Sequence, residues 1–135
     1  MCLNLWVHYN IFRYYKGYRE VEKKIKSELG IPKGFWDGKR IVNDEVNREV
    51  EEYIDKIRLN EGIFDVWQFT DAVERFLNSN IKESLVSENP LVRLLAIVDR
   101  RVGKRTLEKL KDTVSQQPEW LQYFYRLRLQ AESII

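Results

Sequence analysis

Few residues here are equipped for chemistry, and each of them lacks the company it would need. His8 is the only histidine, so a zinc site built on a histidine pair, or any motif needing two imidazoles, is excluded by count. A lone imidazole in an aromatic segment reads as structural. Cys2 is the only cysteine, which rules out an intramolecular disulfide and a multi-cysteine zinc site and points to a reducing compartment. Carboxylates are plentiful in 44–60, yet Arg48 with Glu52 and Glu52 with Lys56 stand four apart, the spacing of exposed helical ion pairs. The segment Gly34 to Lys39 (GFWDGK) has the outline of a phosphate loop, but its first glycine is one position too close. Arg40 also replaces the Ser or Thr that would hold Mg²⁺. No catalytic, metal or cofactor residue is assigned, and no enzyme is expected.

Binding chemistry is better represented. Lys16, Gly17 and Tyr18 begin like an RNA-binding strand motif that Arg19 and Glu20 then break. Around them Tyr9, Phe12, Tyr14, Tyr15 and Tyr18 alternate with Arg13, Lys16 and Arg19, a mixture able to stack on and neutralise a single strand. Packing of these tyrosines into a core is the weightier reading. The densest basic cluster surrounds Gly103. Arg93 and Arg100 fall on one outward stripe, and Lys104, Arg105 and Lys109 follow, a candidate surface for an anionic partner. Arg101 lies nearer the buried side and suits a structural ion pair. Charge is unevenly spread: Lys plus Arg against Asp plus Glu runs 9 to 4 over residues 1–43, 5 to 12 over 44–88, and 9 to 5 over 89–135. Acidic helices packing beside basic ones explain that pattern, and a basic surface for an anionic partner is the alternative.

These residues must be positioned by helices, because the apolar spacing is helical almost throughout. Residues 3–15 are ambiguous: Leu3, Leu5, Val7, Tyr9 and Ile11 alternate as in a strand, while Leu3, Val7, Ile11, Tyr14 and Tyr18 also share a helical face. The alternation tips the expectation to an extended segment. Tyr18 to Leu29 is helical through Val21, Ile25 and Leu29, and Gly30 stands where a left-handed C-terminal cap belongs. Gly30 to Lys39 is then a loop pinned by Phe35 and Trp36. Asn43 or Asp44 opens a helix whose inward stripe is Val46, Val50, Tyr53, Ile54 and Ile57.

Asp65 with Gln68 forms a capping box, stapled by Phe64 against Phe69, and Val66, Phe69, Val73, Phe76 and Leu77 continue the buried side. Asn80 with Glu83 caps a short helix ending near Val86. Asn89 with Pro90 starts another that buries Leu91, Leu94, Leu95, Val98 and Val102 and closes at Gly103. A helix from Lys104 buries Leu107, Leu110 and Val114. The final helix, opened by Gln117 and Pro118, uses Trp120, Phe124, Leu127 and Ala131 as its main face. On that helix Leu121, Tyr125 and Leu129 form a second apolar stripe, read as a candidate interface for another chain.

Residues 89–110 resemble one helical hairpin of the HEAT type, as a packing analogy. The stretch from about Phe69 to Glu132, with DRRVGKRTL at 99–107 and FYRLRLQAE at 124–132, resembles a group of uncharacterised bacterial proteins. That likeness implies a bacterial or phage source and carries no activity. The expected fold is mainly α: one compact helical domain over 1–135, of about five to seven helices, with a short N-terminal segment, 1–16, that leans to extended. No secretory signal or membrane span is read in the apolar start, which Asn4, His8, Asn10 and Arg13 interrupt. The expected function is a cytoplasmic, cofactor-free interaction protein that binds another protein or itself, as a homodimer, through helical faces. The alternative is a nucleic-acid-binding accessory protein using the basic ends.

Overall fold

The computed structural model describes residues 2–135 and is all-helical apart from one small hairpin. Among the described residues there are eight α-helices: α1 (Leu3–Tyr15), α2 (Tyr18–Glu28), α3 (Asp44–Asn60), α4 (Val66–Asn78), α5 (Ile81–Leu85), α6 (Pro90–Val98), α7 (Lys104–Leu110) and α8 (Glu119–Ala131). A 3₁₀ turn, Lys111–Gln116, joins the last two. Strands β1 (Phe35–Trp36) and β2 (Ile41–Val42) pair antiparallel, with Phe35 opposite Val42. Compared with the sequence reading, the added helix is α1. Both periods were present in its apolar residues, and the helical one wins because Trp6, Val7, Asn10 and Tyr14 make a continuous buried side that alternation would split between two faces. No helix among the described residues is long and apolar enough to cross a membrane.

The chain forms two compact units, one of residues up to Leu59 with Ile63–Asp65, the other of Asn60–Gly62 with Val66–Ile135. In the first, Trp6, Val7, Tyr14, Val50, Ile54, Ile63 and Phe64 are the buried apolar residues, and the Trp6 and Phe64 rings lie 5.5 Å apart. Helix α2 ends as expected. Gly30 takes φ +65°, its N–H donates to Ser27 O, and the N–H of Ile31 reaches back to Lys26 O, the paired bonds that close a left-handed helix end. The loop that follows is not pinned: Phe35 and Trp36 are exposed on the hairpin, which is held instead by polar bonds from Asn47 Nδ2 to Pro32 O and Asn43 Nδ2 to Lys33 O. The α3 stripe is narrower than expected. Val50 and Ile54 are buried, whereas Val46, Tyr53 and Ile57 are exposed, and the buried line continues into Arg58.

In the second unit α6 is central and packs against α4, α5 and α8. Leu91, Val92, Leu94, Ala96 and Ile97 are buried on almost all its sides, as an apolar-all-round helix requires. Its start is the expected one, with Asn89 Oδ1 accepting from Leu91 N and Pro90 in the first turn, and α5 opens on a full capping box between Asn80 and Glu83. Its end differs. Helix α6 stops before Asp99, Val98 is exposed, and Gly103 is an extended residue opening α7. Helix α4 also turns differently from the expectation: Ala72 is its buried residue, Phe69, Val73 and Phe76 are half-buried, and Val66 and Leu77 are exposed.

Candidate functional site

The basic cluster around Gly103 separates into two groups. Arg93, expected on the outside, is half-buried: its Nε donates to Gln117 Oε1 at 2.9 Å and its Nη1 to Ser87 O at 2.6 Å and Glu88 O at 3.2 Å. Because α6 has neighbours on several sides it has little outward stripe to offer, so the long arm turns along the core and fastens a loop. Burial holds the Arg93 guanidinium below its usual pKa. Arg101 makes a two-pronged bond to Asp99, both contacts at 3.0 Å, and lies 5.6 Å over the Phe76 ring. That pair pulls the Asp99 carboxyl below the usual carboxylate range. Arg101 itself is exposed and not on the buried side, while Asp99 is half-buried. Arg128 bonds Glu132 and the Val102 carbonyl. Arg100, Lys104, Arg105 and Lys109 remain exposed, with no side-chain hydrogen bond or ion pair among the described residues.

The proposed second face of the last helix is corrected. Leu121, Tyr125 and Leu129 are 0%, 0% and 1% exposed, and with Phe124 they belong to the interior. Helix α6 and the 3₁₀ turn supply the neighbours that the two apolar stripes demanded. The expected main face has rotated accordingly, leaving Leu127 and Ala131 exposed and Trp120 half-buried.

An unpartnered apolar face does exist, on α1. Its inner side is buried, while Leu5, Tyr9 and Phe12, spaced i, i+4, i+7, are 68%, 58% and 61% exposed. Tyr15 and His8 flank this stripe and Lys16 prolongs it. The Arg13 guanidinium sits 5.6 Å over the Tyr9 ring and the Lys16 ammonium 5.8 Å over that of Phe12. No carboxylate occurs in α1.

Beneath this face lies the residue that sequence reasoning missed. Arg58 is only 5% exposed. Its Nη2 donates to the carbonyls of Arg13 at 2.9 Å and Tyr14 at 3.1 Å, the last turn of α1, where a cation complements the helix dipole. The guanidinium is 5.1 Å from the Tyr14 ring and 5.6 Å from that of Tyr18. Tyr14 Oη donates to Asp55 Oδ1 at 3.2 Å. Burial, more than the neighbouring charge, raises the Tyr14 hydroxyl strongly, and burial also raises the Asp55 carboxyl despite that hydrogen bond. A signal was available: Arg58 continues the Val50, Ile54 stripe at i+4.

Across residues 4–129 the sequence matches the model of one family, from α1 into α8 and through both units. The chain belongs to the SF0329 protein family. The match reaches well beyond the 69–132 stretch on which the likeness to uncharacterised proteins rested, and the family's description names no activity. No curated protein and no solved structure matches the chain.

One open groove of about 650 Å³ is present in the first unit of this SF0329 family member, between α2, the hairpin and α3. Lys26 crosses it to Glu22 at 2.8 Å and Glu51 at 3.2 Å, so its central charges are already paired with each other. No group of three or more His, Cys, Asp or Glu side chains gathers around a metal-sized position among the described residues.

Proposed function

We propose that the chain is a non-enzymatic interaction protein that docks another polypeptide on the outer face of α1. The observation that carries this reading is the contrast within that one helix, where one side is buried and the opposite side presents Leu5, Tyr9 and Phe12 to solvent. A contiguous exposed apolar stripe is costly in water and is a common mark of an interface. Arg58 supports it by fixing the end of α1 from below, so the stripe is presented on an anchored helix. The free thiol at Cys2 fits a cytoplasmic setting, and the likeness in residues 69–132 fits a bacterial or phage source. Residues 89–110 span α6 and α7, and their likeness to a HEAT-type hairpin remains a packing analogy.

The test is a photo-crosslinking residue placed at Phe12 in cells that make the protein, compared with one at the exposed Lys24 of α2. A discrete adduct with a polypeptide, formed from position 12 and abolished by Tyr9→Gln, is the expected result. Equal, diffuse labelling from both positions overturns the reading.

A second reading, binding of nucleic acid, rests on the four unpaired cations Arg100, Lys104, Arg105 and Lys109. Its check is binding to duplex and single-stranded DNA across salt concentrations. Phosphate neutralisation would give a steep loss with salt, shallower in Arg100→Glu with Arg105→Glu.

A further inference from the structure

We infer that the partner of α1 is an amphipathic helix of another protein, apolar along one stripe and carrying carboxylates on its flanks. This deepens the docking reading and rests on it. The stripe is helix-shaped: from Leu5 to Lys16 it runs about 16 Å at 1.5 Å per residue, as a narrow line on a single element, and such a line is complemented by the i, i+3, i+4, i+7 anchors of a second helix.

Charge then selects among helices. Arg13 and Lys16 border the stripe, α1 has no carboxylate to neutralise them, and the Asp55 carboxylate beneath is taken by Tyr14. Pairing two copies of α1 across a twofold axis leaves all four cations without a counter-charge, which disfavours self-association through this face. Single-stranded nucleic acid would supply negative charge but needs open ring faces on which to stack. At Tyr9 and Phe12 one face of each ring already carries a cation, Arg13 or Lys16, at 5.6 and 5.8 Å from the ring centre. An acidic helix can pack its apolar side chains against Leu5 and the ring edges while its carboxylates meet the two cations where they already lie.

Binding to the full chain is measured by fluorescence anisotropy with four labelled probes. Two are peptides of about four helical turns, sharing one leucine stripe and flanked either by glutamates or by lysines. The others are a single-stranded oligothymidylate and vesicles containing phosphatidylserine. The glutamate peptide should bind with a Kd on the order of micromolar, at least about tenfold tighter than the lysine peptide. Tyr9→Gln with Phe12→Gln should abolish binding of both peptides. Arg13→Glu with Lys16→Glu should invert the preference between them, a charge-swap rescue that general damage to the helix cannot produce. Should that variant lose helical content, Arg13→Gln with Lys16→Gln replaces it and must remove the preference without affecting the leucine-dependent part. Equal binding of the two peptides, tighter binding of the oligonucleotide or the vesicles to the same face, or concentration-dependent dimerisation abolished by Phe12→Gln overturns the inference. If the crosslink from Phe12 succeeds while the glutamate peptide fails, the docking face stands and the partner's chemistry is wrong. If both fail, the docking reading falls as well.

Discussion

Helices α1 and α8 pose the same problem in sequence and solve it differently. Each carries apolar residues around more of its circumference than one contact requires. In α8 both sides find neighbours within the second unit, so Leu121, Phe124, Tyr125 and Leu129 are interior. In α1 only the side of Trp6, Val7 and Tyr14 is covered, and the side of Leu5, Tyr9 and Phe12 stays in water. The lesson is that an excess of apolar surface along a helix counts how many neighbours are needed and leaves open whether they come from the same chain. Details at the rim separate the two cases. Helix α8 pairs Arg128 with the Glu132 carboxylate, whereas Arg13 of α1 has only the Asn10 side-chain amide, at 3.3 Å, and with Lys16 lies over an exposed ring.

The comparison breaks most visibly at Leu129. Replacing it with Lys places an ammonium where 1% of the residue is exposed. A loss of more than about 4 kcal/mol is expected, a large share of the stability of an ordinary domain. Urea denaturation of Leu129→Lys beside Leu5→Lys checks it. An unchanged midpoint for Leu129→Lys would return that stripe to the surface and restore α8 as the interface.

Arg58 should give the next largest effect, because it fastens the C-terminal turn of α1. Its removal in Arg58→Ala leaves the carbonyls of Arg13 and Tyr14 without their donor and empties the space beside two tyrosine rings, for an expected cost of about 3 kcal/mol. Nε and Nη1 make no hydrogen bond, so part of the arginine is buried at a cost of its own. Arg58→Leu should therefore recover a measurable fraction of the loss. If Arg58→Ala is neutral in thermal unfolding, α1 is not held from below and its outer face is not a rigid platform.

Asp55 gives a smaller effect with a definite sign. Its pKa is raised in the folded chain, so between the ordinary aspartate range and that raised value the native state holds more protons than the unfolded one. Asp55 therefore favours folding most at low pH, and stability falls as pH rises through that window. Asp37 and Asp99, whose pKa values are lowered, act in the opposite sense, so the informative quantity is the difference between the parent and Asp55→Asn. The falling contribution should vanish in the variant. A difference that rises with pH instead would mean that the bond from Tyr14 outweighs burial.

What could be read from sequence divides along the same line. Helix ends were legible at Asn80 with Glu83, at Asn89 with Pro90 and at Gly30, because caps depend on residues within one turn and on φ preference alone. The α6 end was misplaced because Gly103 serves equally well as an extended N-cap, and sequence does not distinguish the two uses. Arg93 was misassigned because its outward direction assumed that α6 had an outside. Buried stripes were broadly found and their rotation was not: Ala72 is fully buried where Phe69 was expected, and Leu121 where Leu127 was. Choosing between faces of similar apolarity depends on which neighbour arrives, and that information lies far away in the chain. The aromatic and basic character of residues 9–19 was visible from the start. The assignment of its tyrosines to the core was right for Tyr14 and wrong for Tyr9 and Tyr15, since an extended segment and a helix distribute the same residues to different sides.

The smallest expected effect is also the one that completes the comparison. Tyr9→Gln and Phe12→Gln remove rings that are more than half exposed and replace them with good helix formers, so little buried area is lost and helix propensity is maintained. The remaining loss is one exposed cation–ring contact each, about 0.5 to 1 kcal/mol at most. Chemical denaturation should therefore place each variant within about 1 kcal/mol of the parent, several-fold less than Leu129→Lys, while the crosslink from position 12 disappears in Tyr9→Gln and binding of the glutamate peptide disappears in the double variant. That separation of stability from binding is what an interface residue shows and a core residue cannot. A loss at Phe12 as large as that at Leu129 would mean that the face is covered in solution by the chain itself, and α1 would then have met its need for a second neighbour in the same way as α8.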